Sequence, residues 1–443
     1  MNGIHFDLLF ITRKSRFRAG TRFCVRGADK FGNVANFAET EMVLFKHDGS
    51  LLSYVQIRGS IPLYWDQQAT LKYMPRTRYV NRKDDSVMDW NELAFNQHIT
   101  TESDTYGALT LVNLIDKIGT TATIRDQIQL GSALGKYVKR YAGPGTCRHV
   151  WFDFHHECRA LAWHNLSKLV TSVSADFALH GVFETNAAGR VVATQQGVFR
   201  TNCMDNLDRT NVVQSLFARR ALLSALGAHD EQYATVLDSP YVSFEHHFKN
   251  VWADNADAVS FMYAGTGALK TDFTRTGTRT LAGALADGKN SLVRYYLNNF
   301  ADGTRQDAYD LLVGNYVPSV RQPSPFTTQQ RYSIRVLVLR LLPFLLAVTV
   351  LICHTRQRRA LGWDLELKGT ASREGWTMPL NVYSLLTALG TLAAVAMAGL
   401  MVAVVGLGKK GYGQGMGRWV SCKPVLCTTG YPDYQSSRGS PSS

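Results

Sequence analysis

The sequence has no Cys-x-x-Cys pair, and its seven cysteines, at positions 24, 147, 158, 203, 353, 422 and 427, are odd in number. Neither a disulfide framework nor a zinc ribbon is expected from them. A His-Glu-x-x-His helix and a Walker A loop are missing as well, so a zinc protease and a P-loop nucleotide hydrolase lack their defining residues. Residues 1–20 have no basic leading segment, and their apolar run is too short for a secretory h-region, so the bulk of the chain is expected to stay in the reducing cytosol. Acidic residues are in deficit: 35 Asp and Glu stand against 48 Lys and Arg, a net charge of +13. That balance favours anionic partners, whether nucleic acid, acidic head groups or phosphorylated substrates. No recognisable module interleaves basic residues with aromatics, so nucleic acid is not expected among them.

What the chain does have is apolar mass, 45% of 443 residues, enough for one large or two ordinary domains. Short apolar runs at Phe6 to Thr12, Leu109 to Ile115 and Val150 to Phe154 predict buried strands, and they alternate with helical stretches such as Ala160 to Val173. An α/β unit over residues 1–318 follows, with a mixed sheet flanked by helices. The stretch VPSVRQPSPFTTQQ then supplies linker chemistry over 319–335. Beyond it, 336–353 is apolar apart from Arg340 and is broken by Pro343, and 385–407 runs 23 residues without a charge. A bilayer needs roughly 20 apolar residues of helix, so both are expected to span it as a hairpin. Gly390, Ala394 and Ala398 would form a close seam between the two helices. Basic residues flank both spans; the simplest orientation keeps the large domain and the tail 408–443 cytosolic and the loop 354–384 lumenal.

The segment GVFRTNCMDNLDRTNVVQSLFARRALLSAL carries the chemistry. Val198 and Phe199 end a strand-like run, while Val212, Val213, Leu216, Phe217, Leu222, Leu223 and Leu226 recur at helical spacing. A loop from Cys203 to Arg209 therefore joins strand to helix, and the free N–H groups of the helix start converge on an anion pocket. The helix dipole and Arg209 both favour the reactive thiolate at Cys203. Five intervening residues let the planar guanidinium return to the oxygens of a phosphate under attack. Spacing alone is weak, because Cys353 and Arg359 also form Cys-x5-Arg, with neither a strand before them nor a capped helix after. Two carboxylates, Asp205 and Asp208, sit inside a loop meant for a dianion, so one should be protonated or turned away. A protonated Asp would serve the leaving oxygen as general acid, a role assigned to Asp205 in preference to Asp208. Helix-start hydrogen bonding accounts equally for either carboxylate, and for Thr210 and Asn211.

RTNCMDNLDRTNVVQ closely resembles the signature of the Sac-domain (suppressor of actin) phosphoinositide phosphatases. SRFRAGTRFCVRGADKFGNVANFAETE, SYVQIRGSIPLYW, WFDFHHECR, WADNADAVSFMYAGTGALKTDFTRTGTRT and RYYLNNFADGTRQDAYDLLVGNY are similar to further blocks of that family, in order. The resemblance implies Cys203 as nucleophile, Arg209 as phosphate ligand, no metal or other cofactor, and phosphatidylinositol 4-phosphate or 3-phosphate as substrate. The C-terminal hairpin resembles that of the endoplasmic reticulum and Golgi branch, although the tail SSRGSPSS has no dilysine signal. Asn206, assigned with Asp208 and Thr210 to substrate binding, stands where many members have a second Cys. The RAGTR block begins within twenty residues of Met1, so the resemblance implies that the family's N-terminal subdomain and the beginning of its catalytic domain are absent. An inactive phosphoinositide-binding tether is therefore the competing expectation, and a protein tyrosine phosphatase, disfavoured by the acidic loop, is a third.

Lys270 lies with Arg275 and Arg279 in a glycine-rich basic segment suited to a phosphorylated head group, and the resemblance extends that reading to Arg18. Arg22, Arg26 and Arg58 could line the same groove or face water. Adjacent His155 and His156, taken as a strand end, would point to opposite faces, which suits a pocket wall better than a metal site.

Overall fold

The computed structural model describes residues 5–67, 72, 74–80, 89–141, 146–159, 162–226, 241–276 and 280–319. The expected spans, the loop between them and the tail lie outside the described residues; among those described, no helix is long and apolar enough to cross a membrane. The strands are β1 (Phe6–Lys14), β2 (Ala38–Lys46), β3 (Leu51–Arg58), β4 (Trp65–Gln67), β5 (Thr77–Tyr79), β6 (Ala108–Asn113), β7 (Cys147–Trp151), β8 (Phe183–Thr185), β9 (Val191–Ala193) and β10 (Gly197–Asn202). Helices follow as α1 (Trp90–Tyr106), α2 (Ala122–Tyr141), α3 (Phe154–Glu157), α4 (Leu166–Ser172), α5 (Ser174–His180), α6 (Asp208–Ala225), α7 (Val242–Ala264), α8 (Thr271–Thr276), α9 (Leu281–Tyr296) and α10 (Asp302–Leu312).

One mixed sheet has the order β1-β2-β3-β10-β6-β7. β2 is antiparallel to both of its neighbours, β1 and β3, whereas β3, β10, β6 and β7 run parallel. The parallel strands β6 and β10 are covered on both faces, and β6 accordingly reads as the nearly unbroken apolar run ALTLVN. Period-2 alternation then sends neighbours to opposite sides. Val198 packs with Phe95 of α1 and Leu130 and Leu134 of α2, while Phe199 packs with Phe217 of α6 and Trp252 of α7. The aromatic rings of Phe199 and Phe217 lie 4.6 Å apart.

The expected strand from Val150 to Phe154 is displaced, because Asp153 accepts a hydrogen bond from the N–H of His156 at 3.0 Å and so caps a helical turn. His155 and His156 thus sit on α3, not on a strand end. The helix expected over 160–173 is likewise shorter, beginning as a 3₁₀ turn at Trp163–Asn165 before α4. Residues 160 and 161 lie outside the described residues.

Candidate active site

Three parallel strands end side by side at Arg58, Asn113 and Asn202, and Asn202 Nδ2 donates to Asn113 Oδ1 at 2.7 Å. The crevice beyond the carboxyl ends of such strands is where α/β sheets hold ligands. Cys203 follows β10 immediately and α6 opens at Asp208, so the expected strand, loop and helix are all present. Asn206 shapes the turn between them. Its φ of 53° is left-handed, a conformation that asparagine tolerates better than most residues. From there its Oδ1 accepts from the Cys203 N–H at 2.9 Å, while its own N–H donates to Cys203 Sγ at 3.2 Å. No side chain caps α6 at Leu207, the arrangement in which helix-start N–H groups are able to receive an anion.

Cys203, Asp205, Asp208, Arg209 and Lys270 line one cavity of about 370 Å³. Its other charged walls are Arg22, Lys72 and Arg294, so five Lys and Arg oppose two Asp. An anionic occupant fits that excess. Arg209 Nη1 donates to the Leu114 carbonyl at 3.2 Å and lies 3.9 Å from Asp116 Oδ1. Asp116 is itself anchored by His155 Nδ1 at 2.7 Å and Gln127 Nε2 at 3.0 Å. Burial works to raise its pKa, yet the His155 hydrogen bond and the charges of His155 and Arg209 outweigh burial and hold it below the ordinary value. An ionised Asp116 therefore orients the guanidinium expected to grip phosphate.

The two loop carboxylates have opposite surroundings. Asp205 receives Arg22 Nη2 at 2.8 Å and buried Arg26 Nη2 at 2.7 Å. Burial would raise its pKa, but the two guanidinium charges and their hydrogen bonds overcome that and hold it well below the carboxylate range. Asp205, expected to be the protonated acid, is instead the carboxylate turned toward two guanidinium groups that favour its anionic form. Asp208 is pushed upward instead, chiefly by burial and further by the Asp205 charge, despite Arg294 at 3.6 Å and the Leu269 N–H at 2.9 Å.

Three expected ligands do not line the cavity. Arg18 spends its guanidinium on the carbonyls of Arg26 and Gly27, at 2.6 to 3.2 Å, bracing the loop that carries Arg26. Thr210 is wholly buried, its hydroxyl without a partner among the described residues. Asn206 is equally buried and acts on the loop from behind. Lys270 does face the cavity, its left-handed backbone fixed by the Asp287 carboxylate accepting its N–H at 2.9 Å. Arg275 is engaged elsewhere by Asp254 at 2.7 Å, and Arg279 lies outside the described residues. Arg58 lies fully buried at the end of β3, its Nη2 donating to Asn211 Oδ1 at 3.3 Å while Nε and Nη1 have no partner among the described residues. Burial lowers its pKa to about 10, and the charge of Cys203 acts in the opposite sense.

Asp116 and Arg294 escaped the sequence reading. Arg294 donates to Thr266 at 2.7 Å and Ser260 at 2.8 Å, which carries it to the cavity from α9. The only sequence trace of either was position: Asp116 follows a strand end, and Arg294 lies in the RYYLNNF block.

Fold and loop together define an α/β domain that presents a Cys-x5-Arg segment, at the carboxyl ends of parallel strands, to a cation-rich cavity. Residues 1–159 match the family model of the SacI homology domain. The phosphatidylinositol-3-phosphatase SAC1-B of Danio rerio is 44% identical over 319 residues, covering 71% of this chain and 52% of that protein. The phosphatidylinositol-3-phosphatases SAC1 of Drosophila melanogaster and of Saccharomyces cerevisiae are 44% and 41% identical over 341 and 349 residues, covering 74% and 73% of this chain and 54% and 52% of theirs. The chain belongs to the Sac-domain phosphoinositide phosphatase family, and it spans about half the length of the curated relatives it matches.

Proposed function

We propose that this chain hydrolyses the phosphate monoester of phosphatidylinositol 4-phosphate, and also of the 3-phosphate after which its relatives are named, through a phosphocysteine. The observation that carries the reading is the placement of Cys203, directly after β10, and Arg209, in the first turn of α6, on one cation-rich cavity. The Cys203 thiolate attacks phosphorus as the bond from phosphorus to the inositol oxygen breaks. Asp208 gives its proton to that oxygen, because its surroundings favour the protonated carboxyl and those of Asp205 do not. Arg209 and the first-turn N–H groups of α6 hold the equatorial oxygens. Water then attacks phosphorus, passes a proton to the Asp208 carboxylate, and returns sulfur as thiolate with inorganic phosphate released. None of these steps calls on a metal. The apolar runs 336–353 and 385–407 would tether the domain to an endoplasmic reticulum or Golgi membrane beside its substrate, raising effective concentration.

Phosphate release from vesicles containing phosphatidylinositol 4-phosphate, in the presence of a chelator, tests this. The intact chain should release phosphate and Cys203→Ser should not. Equal release by both would remove the thiolate mechanism, and head-group binding with release from neither would leave a tether.

A further inference from the structure

Helix α9 has two faces with different duties. Ser291, Arg294 and Tyr295 form part of the cavity wall. About a third of a turn away, Leu281, Leu285, Leu292 and Tyr296 fall within roughly 60° of arc. All four stand in the open, at 79%, 69%, 73% and 57% exposure. Solvent-facing helix surfaces are ordinarily rich in charge. Here the exposed residues of α9 include one charged side chain, the cation Lys289, and no acid. Asp287, the acid nearest in sequence, is partly covered and accepts the Lys270 N–H.

We propose that this face of α9 seats the domain on the surface of an anionic lipid bilayer, beside the mouth of the cavity. The inference rests on the reading of the substrate as a membrane lipid, because the occupant follows from the cavity next door. A phosphoinositide keeps its acyl chains in the bilayer while its head group enters the site, so whatever borders the mouth meets lipid. A narrow leucine stripe edged by lysine is the pattern that buries its apolar side at the head-group boundary and pairs its cation with lipid phosphate. Lys270 and Lys72, both exposed on the cavity rim, carry the same sign. A second copy seated on α9 would instead border the mouth with protein.

The test uses the full chain and the triple variant Leu281→Ser, Leu285→Ser, Leu292→Ser, none of which lines the cavity. Each is assayed on phosphatidylinositol 4-phosphate in phosphatidylcholine and phosphatidylserine vesicles, and on the water-soluble dibutanoyl lipid. The expected result is a loss on the order of tenfold on vesicles with the soluble substrate unaffected. Equal loss on both substrates would mean that the stripe supports the cavity wall, and no loss on either that it is covered by something other than lipid; both overturn the proposal. Deuterium uptake over residues 281–296 supplies a readout independent of turnover. It should fall when the wild-type chain passes from detergent to phosphatidylserine vesicles and stay unchanged in the variant. A fall that tracks protein concentration without lipid assigns the face to a second copy and overturns it. Should the wild type release phosphate from neither substrate, the phosphatase reading fails by itself, and the uptake measurement still decides the docking.

Discussion

Asn206 illustrates how a single residue can set the Cys203 loop: its side-chain oxygen and its backbone N–H hold the turn closed and place a donor on the sulfur. Asp205 and Asp208 divide in the same way, by neighbours and not by residue type. Asp208→Asn should slow release from the inositol lipid by about 10²–10⁴-fold, yet leave an aryl phosphate with a good leaving group much less affected. Comparable losses on both substrates would exclude proton donation at that position. Arg58 extends the argument to the end of β3, where its buried guanidinium, two of its nitrogens without partners among the described residues, interacts electrostatically with Cys203. Iodoacetamide labelling of Cys203 at neutral pH, read by mass spectrometry, should slow by about tenfold in Arg58→Met and recover in Arg58→Lys. Failure of lysine to restore labelling would reduce Arg58 to a packing role. Cys203 and Arg209 were legible because their spacing and helical context lie within one short segment. The pairings of Arg22 with Asp205 and of Asp116 with Arg209 were not, since the partners lie about 180 and about 90 positions apart, and no local pattern encodes such a meeting.

At the scale of elements, helix α6 was legible for a similar reason. Its apolar residues recur with the helical period, and the expected span 210–226 matches Asp208–Ala225 to within two residues. Strands β1, β6 and β10 were equally clear as apolar runs, whereas β7 and α3 were blurred because Phe152 and Phe154 extend the apolar signal past a cap. Leu222 is fully buried on α6, and Leu222→Ala should cost about 2–5 kcal/mol in denaturant unfolding. The opening turn of α10 offers a pH-dependent case. Asp302 is wholly buried, accepts the Phe23 N–H at 3.3 Å and pairs with Arg305 at 3.1 Å. Burial raises its pKa from 3.8 to about 6, with Arg305 and the Phe23 hydrogen bond opposing. Because the folded pKa is the higher one, its contribution is complete below the unfolded value and lost as pH rises toward 6. Between those limits the wild type should lose up to about 3 kcal/mol relative to Asp302→Asn, and the difference should level off above. A difference that does not change with pH would show that Asp302 ionises normally.

Over the whole domain, the site is held by segments from opposite ends of the described chain. The Thr21 N–H donates to Gln306 Oε1 at 2.9 Å, and Gln306 Nε2 returns to the Ala19 carbonyl at 3.3 Å. That clasp fixes the loop that carries Arg22 and Arg26, so the anchoring of Asp205 depends on a contact between residues about 285 positions apart. Composition announced the electrostatic result, a basic protein, but could not say that five cations would converge on one cavity. The convergence predicts how salt should act. Steering of a head group toward the cavity is screened over a Debye length of about 8–10 Å, whereas charges already in contact with bound phosphate are screened far less. With the soluble dibutanoyl lipid, raising ionic strength should therefore lower kcat/KM several-fold and leave kcat nearly constant. Replacing rim residue Lys72 or Lys270 by Gln should flatten that salt dependence, because each removes part of the field without touching the reacting atoms. If kcat falls with salt as steeply as kcat/KM, the cations act on the chemical step and not on capture, and the division between rim and loop drawn from the geometry is wrong.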